Sequence, residues 1–254
     1  MGRRRRSIAA SVVVPAAVVA MVVTVAGCSD SAAVAPPSSP ADLVLAVSDL
    51  PAGFRLESVS VADLVAANQA GIDAARTTRV TPDFCRPTAD EALNPKLSDD
   101  NAAVLGARGP AGVLVELVTS AARDIDADRV ATTGRCARTT TEITTGNLAG
   151  SRVVTEYTEL PQPKVPGGLG VGEQVLLTRS EVTTNLPDGG VRRQTGYAGY
   201  AALDRPSSGP VTVQLTVAGE TTPASNPPTA PVEPLDPAAF TKLFSAALER
   251  VVER

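Results

Sequence analysis

Polar and apolar residues alternate along several segments of the C-terminal half of the chain, which is typical of strands with one buried face. Residues 211–218 alternate valine or leucine with threonine or glutamine. Residues 173–184 and 191–203 flank a short polar segment that contains Asp188 and Gly189, a pair able to take positive φ at a tight turn. The pattern therefore predicts a β-hairpin followed by another strand. Further strands are predicted at residues 113–118, 139–144 and 151–160.

Helical spacing of apolar residues is found at both ends of the region from residue 41 onward. At the C-terminal end, Asp236 is a suitable N-cap, Pro237 suits the first helical position, and an apolar stripe continues to Val251. Nearer the N terminus, Ser60 is expected to begin a helix that ends at Gly71. Short helices are also predicted at residues 42–47, 87–93 and 126–133, and residues 72–82 are expected to be a polar connection.

The order of these elements indicates the fold class. Helices come first, antiparallel strands follow, and a helix closes the chain. We therefore predict an α+β fold, in which an antiparallel β-sheet meander carries helices packed on one face and residues 41–254 form a single domain.

The first 40 residues have a different pattern. Four arginines at positions 3–6 precede an uncharged, mostly apolar run over residues 8–27, which ends in Val25-Ala26-Gly27-Cys28. This order matches a lipobox, so residues 1–27 are predicted to be a lipoprotein signal peptide and Cys28 the lipidated residue. Residues 28–40 are the expected tether. The protein is then extracytoplasmic and anchored to the cell membrane through acyl chains. An uncleaved transmembrane anchor is the alternative, and the export route stays open between the general secretory and twin-arginine pathways.

Charge and composition exclude several classes of function. Removal of residues 1–27 takes away four arginines and no acidic residue, so the net charge changes from −4 to −8, which argues against a nucleic-acid partner. The chain contains no histidine, which excludes Ser-His-Asp and Cys-His nucleophile systems and the commonest zinc ligand. No catalytic residue, metal site or cofactor is predicted.

Two cysteines remain once Cys28 is assigned to lipidation. Cys85 and Cys136 form an even pair in an oxidising compartment, so a disulfide is the primary interpretation. The alternative, a reactive or metal-binding pair, lacks a Cys-x-x-Cys spacing. A bridge across a loop of this length contributes about 4 kcal/mol in the chain-entropy model.

Three local motifs are candidate sites. The glycine-rich residues 168–172 follow proline-rich coil and precede a strand, which does not fit a dinucleotide loop. Asp124, Asp126 and Asp128 alternate as in a calcium loop, but the required glycine and distal glutamate are missing, which favours a capped helix start. The candidate binding surface is the hairpin segment that carries Arg192, Arg193, Tyr197 and Tyr200; the alternative is an ordinary hairpin with one ring packed on a helix.

Several of these features together resemble a group of lipoproteins from mycobacteria and related actinobacteria. The resemblance includes the lipobox at Cys28, the segment Asp49–Phe54, the spaced cysteines, the meander and the final helix around Phe240 and Phe244. These lipoproteins are similar to the extracellular sensor domain of mycobacterial receptor Ser/Thr kinases. That domain has two disulfides, whereas one is possible here, so no functional residue is carried over. The resemblance implies a non-enzymatic ligand-binding or sensing role.

The expected function is therefore a membrane-anchored lipoprotein that binds an envelope small molecule, glycan or protein of unknown identity. Alternatives are an apolar-ligand (lipid) carrier and a structural or accessory subunit of an envelope complex. An envelope enzyme would need two close carboxylates, or a serine beside Lys96, Lys164 or Lys242.

Overall fold

The strands form one antiparallel sheet. A computed structural model describes residues 38–165, 173–205, 209–224 and 232–252, and these ranges contain a 10-stranded sheet. The strands are β1 (Arg55–Glu57), β2 (Arg79–Thr81), β3 (Ala102–Gly109), β4 (Gly112–Thr119), β5 (Arg138–Glu142), β6 (Arg152–Glu159), β7 (Gln174–Asn185), β8 (Val191–Arg205), β9 (Gly209–Gly219) and β10 (Thr222–Pro223). Their spatial order is β1-β3-β4-β9-β8-β7-β6-β5-β2, and β10 pairs with β8.

The hairpin of β7 and β8 is the longest pairing in the sheet and confirms the turn that the sequence predicts. Its register joins Gln174 to Ala202 and Asn185 to Val191. Gly189 has a φ of 84°, and its N–H donates to the carbonyl of Leu186 (3.0 Å). An L-residue with a side chain rarely adopts this φ, which explains why glycine stands here.

One face of the sheet packs on the C-terminal helix. The helices are α1 (Pro40–Leu43), α2 (Val61–Arg76), α3 (Ala89–Leu93), α4 (Ile125–Thr132) and α5 (Pro237–Val252). Helix α5 buries Phe240 and Phe244 against odd-numbered residues of β8 and β9. Gly199 makes this approach possible, because a Cβ there would lie 2.7 Å from the Phe244 ring. The apolar layer between α5 and the sheet is the main hydrophobic core.

The opposite face carries α2, α3 and α4. A second apolar cluster joins Val61 of α2 and Leu93 of α3 to Leu117 of β4. The sequence predicts helices on one face of the sheet, whereas they lie on both. The reason is the run over β4, in which Leu114 and Leu117 are both buried although they point to opposite faces, so each face needs a cover.

The predicted α+β fold class is confirmed. The structure has an antiparallel meander, helices before and after it along the chain, and a disulfide between Cys85 and Cys136. The bridge joins a 3₁₀ turn after β2 to another after α4, and both cysteines are buried. Some local predictions differ from the structure. Residues 42–47 are not one helix, α2 continues through Gly71 to Arg76, and both β2 and β3 were missed.

Several predictions concern residues outside the described ranges: the signal peptide 1–27, the lipidated Cys28, most of the tether 28–40, and the glycine-rich segment 168–172. The described residues from Ser38 onward belong to one compact unit. Of the helices in these ranges, none has the length and apolarity that crossing a membrane requires.

Candidate binding cleft

A half-open cleft lies on the sheet face that carries α3 and α4. Its volume is about 310 Å³, which is at the small end of the range for ligand pockets. Strands β6–β9 form the floor, and residues of α3 and α4 form a wall. The lining that matters for its chemistry includes Tyr157, Thr178, Ser180, Ala198, Tyr200 and Thr216.

The floor is open because small residues meet across neighbouring strands. Thr178 of β7 pairs in register with Ala198 of β8, which pairs with Thr216 of β9. Two residues further along each strand, on the same face, Gly196 of β8 pairs with Ala218 of β9. Side chains in register lie directly beside one another on one face of a sheet. Two adjacent rows of short side chains therefore leave space above the sheet.

A buried ion-pair network closes one end of the cleft. The side chain of Arg123 is 1 % exposed. Its Nε and Nη2 donate to the two carboxylate oxygens of Asp128 on α4 (2.6 and 2.9 Å). Its Nη1 donates to Asp90 of α3 (2.6 Å) and to the side chain of Gln214 on β9 (3.1 Å). Arg123 thus joins both helices to the floor and fixes the wall.

The guanidinium of Arg123 also covers an aromatic ring. Its central carbon lies 4.2 Å from the ring centre of Tyr200, which is cation–π distance. Burial raises the pKa of Asp128 above its usual value, and the hydrogen bonds from Arg123 oppose that rise. One cation and the carboxyl groups of Asp90 and Asp128 therefore meet at this end. When both are ionised, the net charge is negative.

Two tyrosines, Tyr157 and Tyr200, line the cleft. A phenol is protonated at neutral pH, and burial raises the pKa of Tyr157 and of Tyr200 further above that range. Within the described part of the chain, neither hydroxyl makes a hydrogen bond to protein. A phenol can donate one hydrogen bond and accept others. The cleft thus offers hydrogen-bonding groups that the fold itself leaves unused.

The hairpin residues predicted as a binding surface are divided between the two faces of the sheet. Tyr200 lines the cleft. Tyr197 lies on the opposite face, where its ring stacks on Phe240 (5.1 Å between centres) and its hydroxyl donates to Glu233 (2.6 Å). Strand alternation places Arg193 on the Tyr197 face and Arg192 on the Tyr200 face near the hairpin turn. The structure therefore does not gather these four side chains at one place.

The residues that shape the wall carry no signal of a site in the sequence. The pattern around Asp128 predicts only a capped helix start, and the capping is confirmed, because Asp124 accepts a hydrogen bond from the N–H of Ala127 (2.8 Å). Asp90 is 33 positions from Arg123, and no local pattern identifies such a pair. No group of three or more His, Cys, Asp or Glu side chains able to hold a metal ion occurs among the described residues.

A second, larger groove of about 660 Å³ lies beside α5. Its lining is mainly apolar, and Lys164 and Lys242 also contribute. The apolar part of the lining consists of Leu160, Pro161, Pro163, Pro237 and Ala238. This groove lies on a different part of the surface from the cleft.

Comparison with known proteins gives little that bears on this cleft. No protein-family model matches the chain, and no curated protein matches it. One solved structure is similar: an X-ray structure of an uncharacterised protein from Mycobacterium smegmatis, described as an Rv0999 ortholog. The sequences are 14% identical, the match covers 80% of this chain and 92% of that chain, and the TM-score is 0.43. Similarity of this degree assigns neither a family nor a function.

Proposed function

We propose that this protein is a lipid-anchored, extracytoplasmic domain that binds a small polar ligand in the cleft and catalyses no reaction on it. The observation that carries the proposal is the cleft itself, a space of about 310 Å³ with a floor of small residues. Its wall is held by the buried guanidinium of Arg123, which pairs with Asp128 on α4 and Asp90 on α3, and this favours a preformed site. The anchor and the location rest on the sequence around Cys28.

The hydrogen bonds that the carboxylates in the wall already accept support binding rather than catalysis. Asp90 and Asp128 both accept hydrogen bonds from Arg123, and the chain has no histidine. A carboxylate that holds a buried guanidinium is a poor general base, because taking up a proton would break a buried ion pair. Asp128 therefore suits a structural role in the wall, and Asp90, whose side chain is 47% exposed, bonds the same guanidinium.

Native mass spectrometry tests this proposal. The chain from Ser29 onward is produced in an oxidising periplasm, incubated with a small-molecule extract of a mycobacterial cell envelope, and its native and denatured masses are compared. We expect extra native mass that is lost on denaturation. Ala198→Phe fills the cleft and abolishes the extra mass. Thr158→Phe adds the same ring at an exposed position on the opposite sheet face and retains the extra mass.

Two outcomes contradict the proposal. Extra mass that persists in Ala198→Phe places the ligand elsewhere. Unliganded masses for all three proteins, with unchanged melting temperatures in the extract, show that the cleft takes no ligand.

The apolar groove beside α5 favours a second candidate function, that of a lipid carrier. In the same experiment, a carrier would show the mass of a fatty acid or phospholipid. That mass would persist in Ala198→Phe and disappear in Ala238→Trp, which fills the groove from an exposed position on α5.

A further inference from the structure

Three hydroxyl groups in the cleft have no hydrogen-bond partner in the described protein: those of Tyr157, Tyr200 and Thr178. Thr178 is only 3% exposed. None of these oxygens is among the buried, unpartnered side-chain atoms of the described residues, so each stays open to the cleft, where water or a ligand can supply its hydrogen bonds. Each hydroxyl both donates and accepts. A matching ligand needs several groups of the same dual character.

The charges in the cleft disfavour an anion. Arg123 is the cationic side chain in the lining, and four of its hydrogen bonds already go to Asp90, Asp128 and Gln214. An anionic ligand would meet the two carboxylates without an available guanidinium. Desolvating a charge beside like charges is costly, whereas an uncharged polar ligand avoids this cost.

The floor combines a strip of small residues with hydroxyl groups at its side. Gly196, Ala198 and Ala218 form a smooth, weakly polar strip along β8 and β9. The hydroxyls of Thr178 and Ser180 adjoin this strip on β7, and Tyr157 stands beyond them on β6. A ring with C–H groups on its face and hydroxyls at its edge matches this arrangement, in which apolar contact and a few placed polar groups occur together.

We infer that the ligand is a carbohydrate, an uncharged, hydroxyl-rich ring held by the hydroxyls of Tyr157, Tyr200 and Thr178. The inference rests on the proposed function and adds the chemical class of the ligand. The volume of about 310 Å³ limits the bound part to one or two rings, so a longer glycan would be recognised at an end or a branch.

Ligand-observed NMR and calorimetry on the chain from Ser29 onward test the class of ligand. The neutral probes are glucose, galactose, mannose, arabinose and N-acetylglucosamine, with disaccharides of those that bind. The charged probes are glucuronate and glucose 6-phosphate. We expect at least one neutral sugar to bind, and glucuronate and glucose 6-phosphate to bind at least about tenfold more weakly than that sugar.

Variants that remove single hydroxyls locate the contacts. Tyr157→Phe and Tyr200→Phe should each weaken binding of the neutral sugar about fivefold, because each loses one hydrogen bond. Tyr197→Phe is the matched control: it removes the same group, but from the opposite sheet face, where the hydroxyl bonds Glu233. Circular dichroism and melting temperature verify that all three variants fold.

The possible results separate this inference from the proposed function. If the charged sugars bind more tightly than the neutral ones, or if Tyr197→Phe weakens binding as much as the cleft variants, the inference is wrong. It is also wrong if no sugar binds while another ligand is lost on Ala198→Phe substitution, and in that case the proposed function stands. If nothing binds in the cleft at all, both are wrong.

Discussion

Replacing Glu116 by glutamine tests whether one buried carboxyl group makes the stability of this protein depend on pH. Glu116 lies in β4 on the face that α5 covers, and its exposed fraction is 0%. Its Oε2 accepts a hydrogen bond from the N–H of Leu45 (2.8 Å), and Oε1 has no hydrogen-bond partner in the described protein. Burial raises the pKa of Glu116 to about 7, while the Leu45 hydrogen bond and the charge of Arg250 oppose the rise and Asp49 adds to it.

The direction of the pH effect follows from the difference between the pKa of Glu116 in the folded protein and its reference value in the unfolded chain. The reference pKa of glutamate is 4.5. As the pH rises above that value, the unfolded chain loses the proton first, so the folded state binds more protons and the free energy of unfolding falls. The fall ends near pH 7, where Glu116 ionises in the folded state as well. The raised pKa corresponds to a total loss of about 3 kcal/mol. Glu116→Gln removes this dependence.

The assay is urea unfolding of the oxidised wild-type and Glu116→Gln proteins, followed by circular dichroism from about pH 4 to about pH 8. The wild type should lose about 3 kcal/mol more than the variant over this interval. Arg250→Gln removes the cation that opposes the rise, so the upper end of the wild-type fall should move to higher pH. Parallel curves for wild type and Glu116→Gln would refute the reasoning, because Glu116 would then titrate alike in the folded and unfolded states.

Further substitutions test the wall and the core by the same unfolding assay. Arg123→Met leaves the carboxylate of Asp128 buried without its partner, so we expect a loss of about 3–5 kcal/mol; a variant as stable as wild type would show that the network does not hold the wall. Gly199→Ala forces a Cβ to within 2.7 Å of the Phe244 ring and should cost about 1–3 kcal/mol. In Gly71→Ala the added methyl group lies in open space on α2, and the variant should gain up to about 1 kcal/mol. If Gly199→Ala and Gly71→Ala changed the free energy of unfolding in the same direction, the packing argument would be wrong.

The elements predicted correctly carry their signals within a few neighbouring residues. The β7–β8 hairpin depends on alternation and on Asp188-Gly189, and α5 begins at an N-cap whose Asp236 side chain accepts from the N–H of Ala238 (2.8 Å). Such local rules hold wherever tertiary contacts agree with them.

The missed elements depend on contacts between distant residues. Strand β3 is rich in alanine and glycine, which have low strand propensity, and it is a strand because it pairs with β1 and β4. Helix α2 continues past Gly71 to Arg76, because glycine is tolerated at this exposed interior position. These differences follow from the sheet as a whole.

The candidate site was predicted less well than the fold. The sequence predicts Tyr200 as a site residue, but the three residues predicted with it, Arg192, Arg193 and Tyr197, lie on the other face or near the hairpin turn. Its spatial neighbours Arg123, Asp90 and Tyr157 come from three other segments. Only the registers of β6 to β9 and the placement of α3 and α4 bring these side chains together.

The position of β1 and β2 has a consequence for truncated forms of the protein. These three-residue strands are the two outer edges of the sheet, and α2, which joins them, crosses from one edge towards the other. Both edges of the sheet are therefore covered by one continuous stretch, residues 55–81. Its two strands carry charged side chains and are too short to pair with a strand of another chain. Loss of this stretch would expose the longer strands β3 and β5 as new edges. Trimmed molecules would then self-associate by edge-to-edge strand pairing, although their central meander is intact.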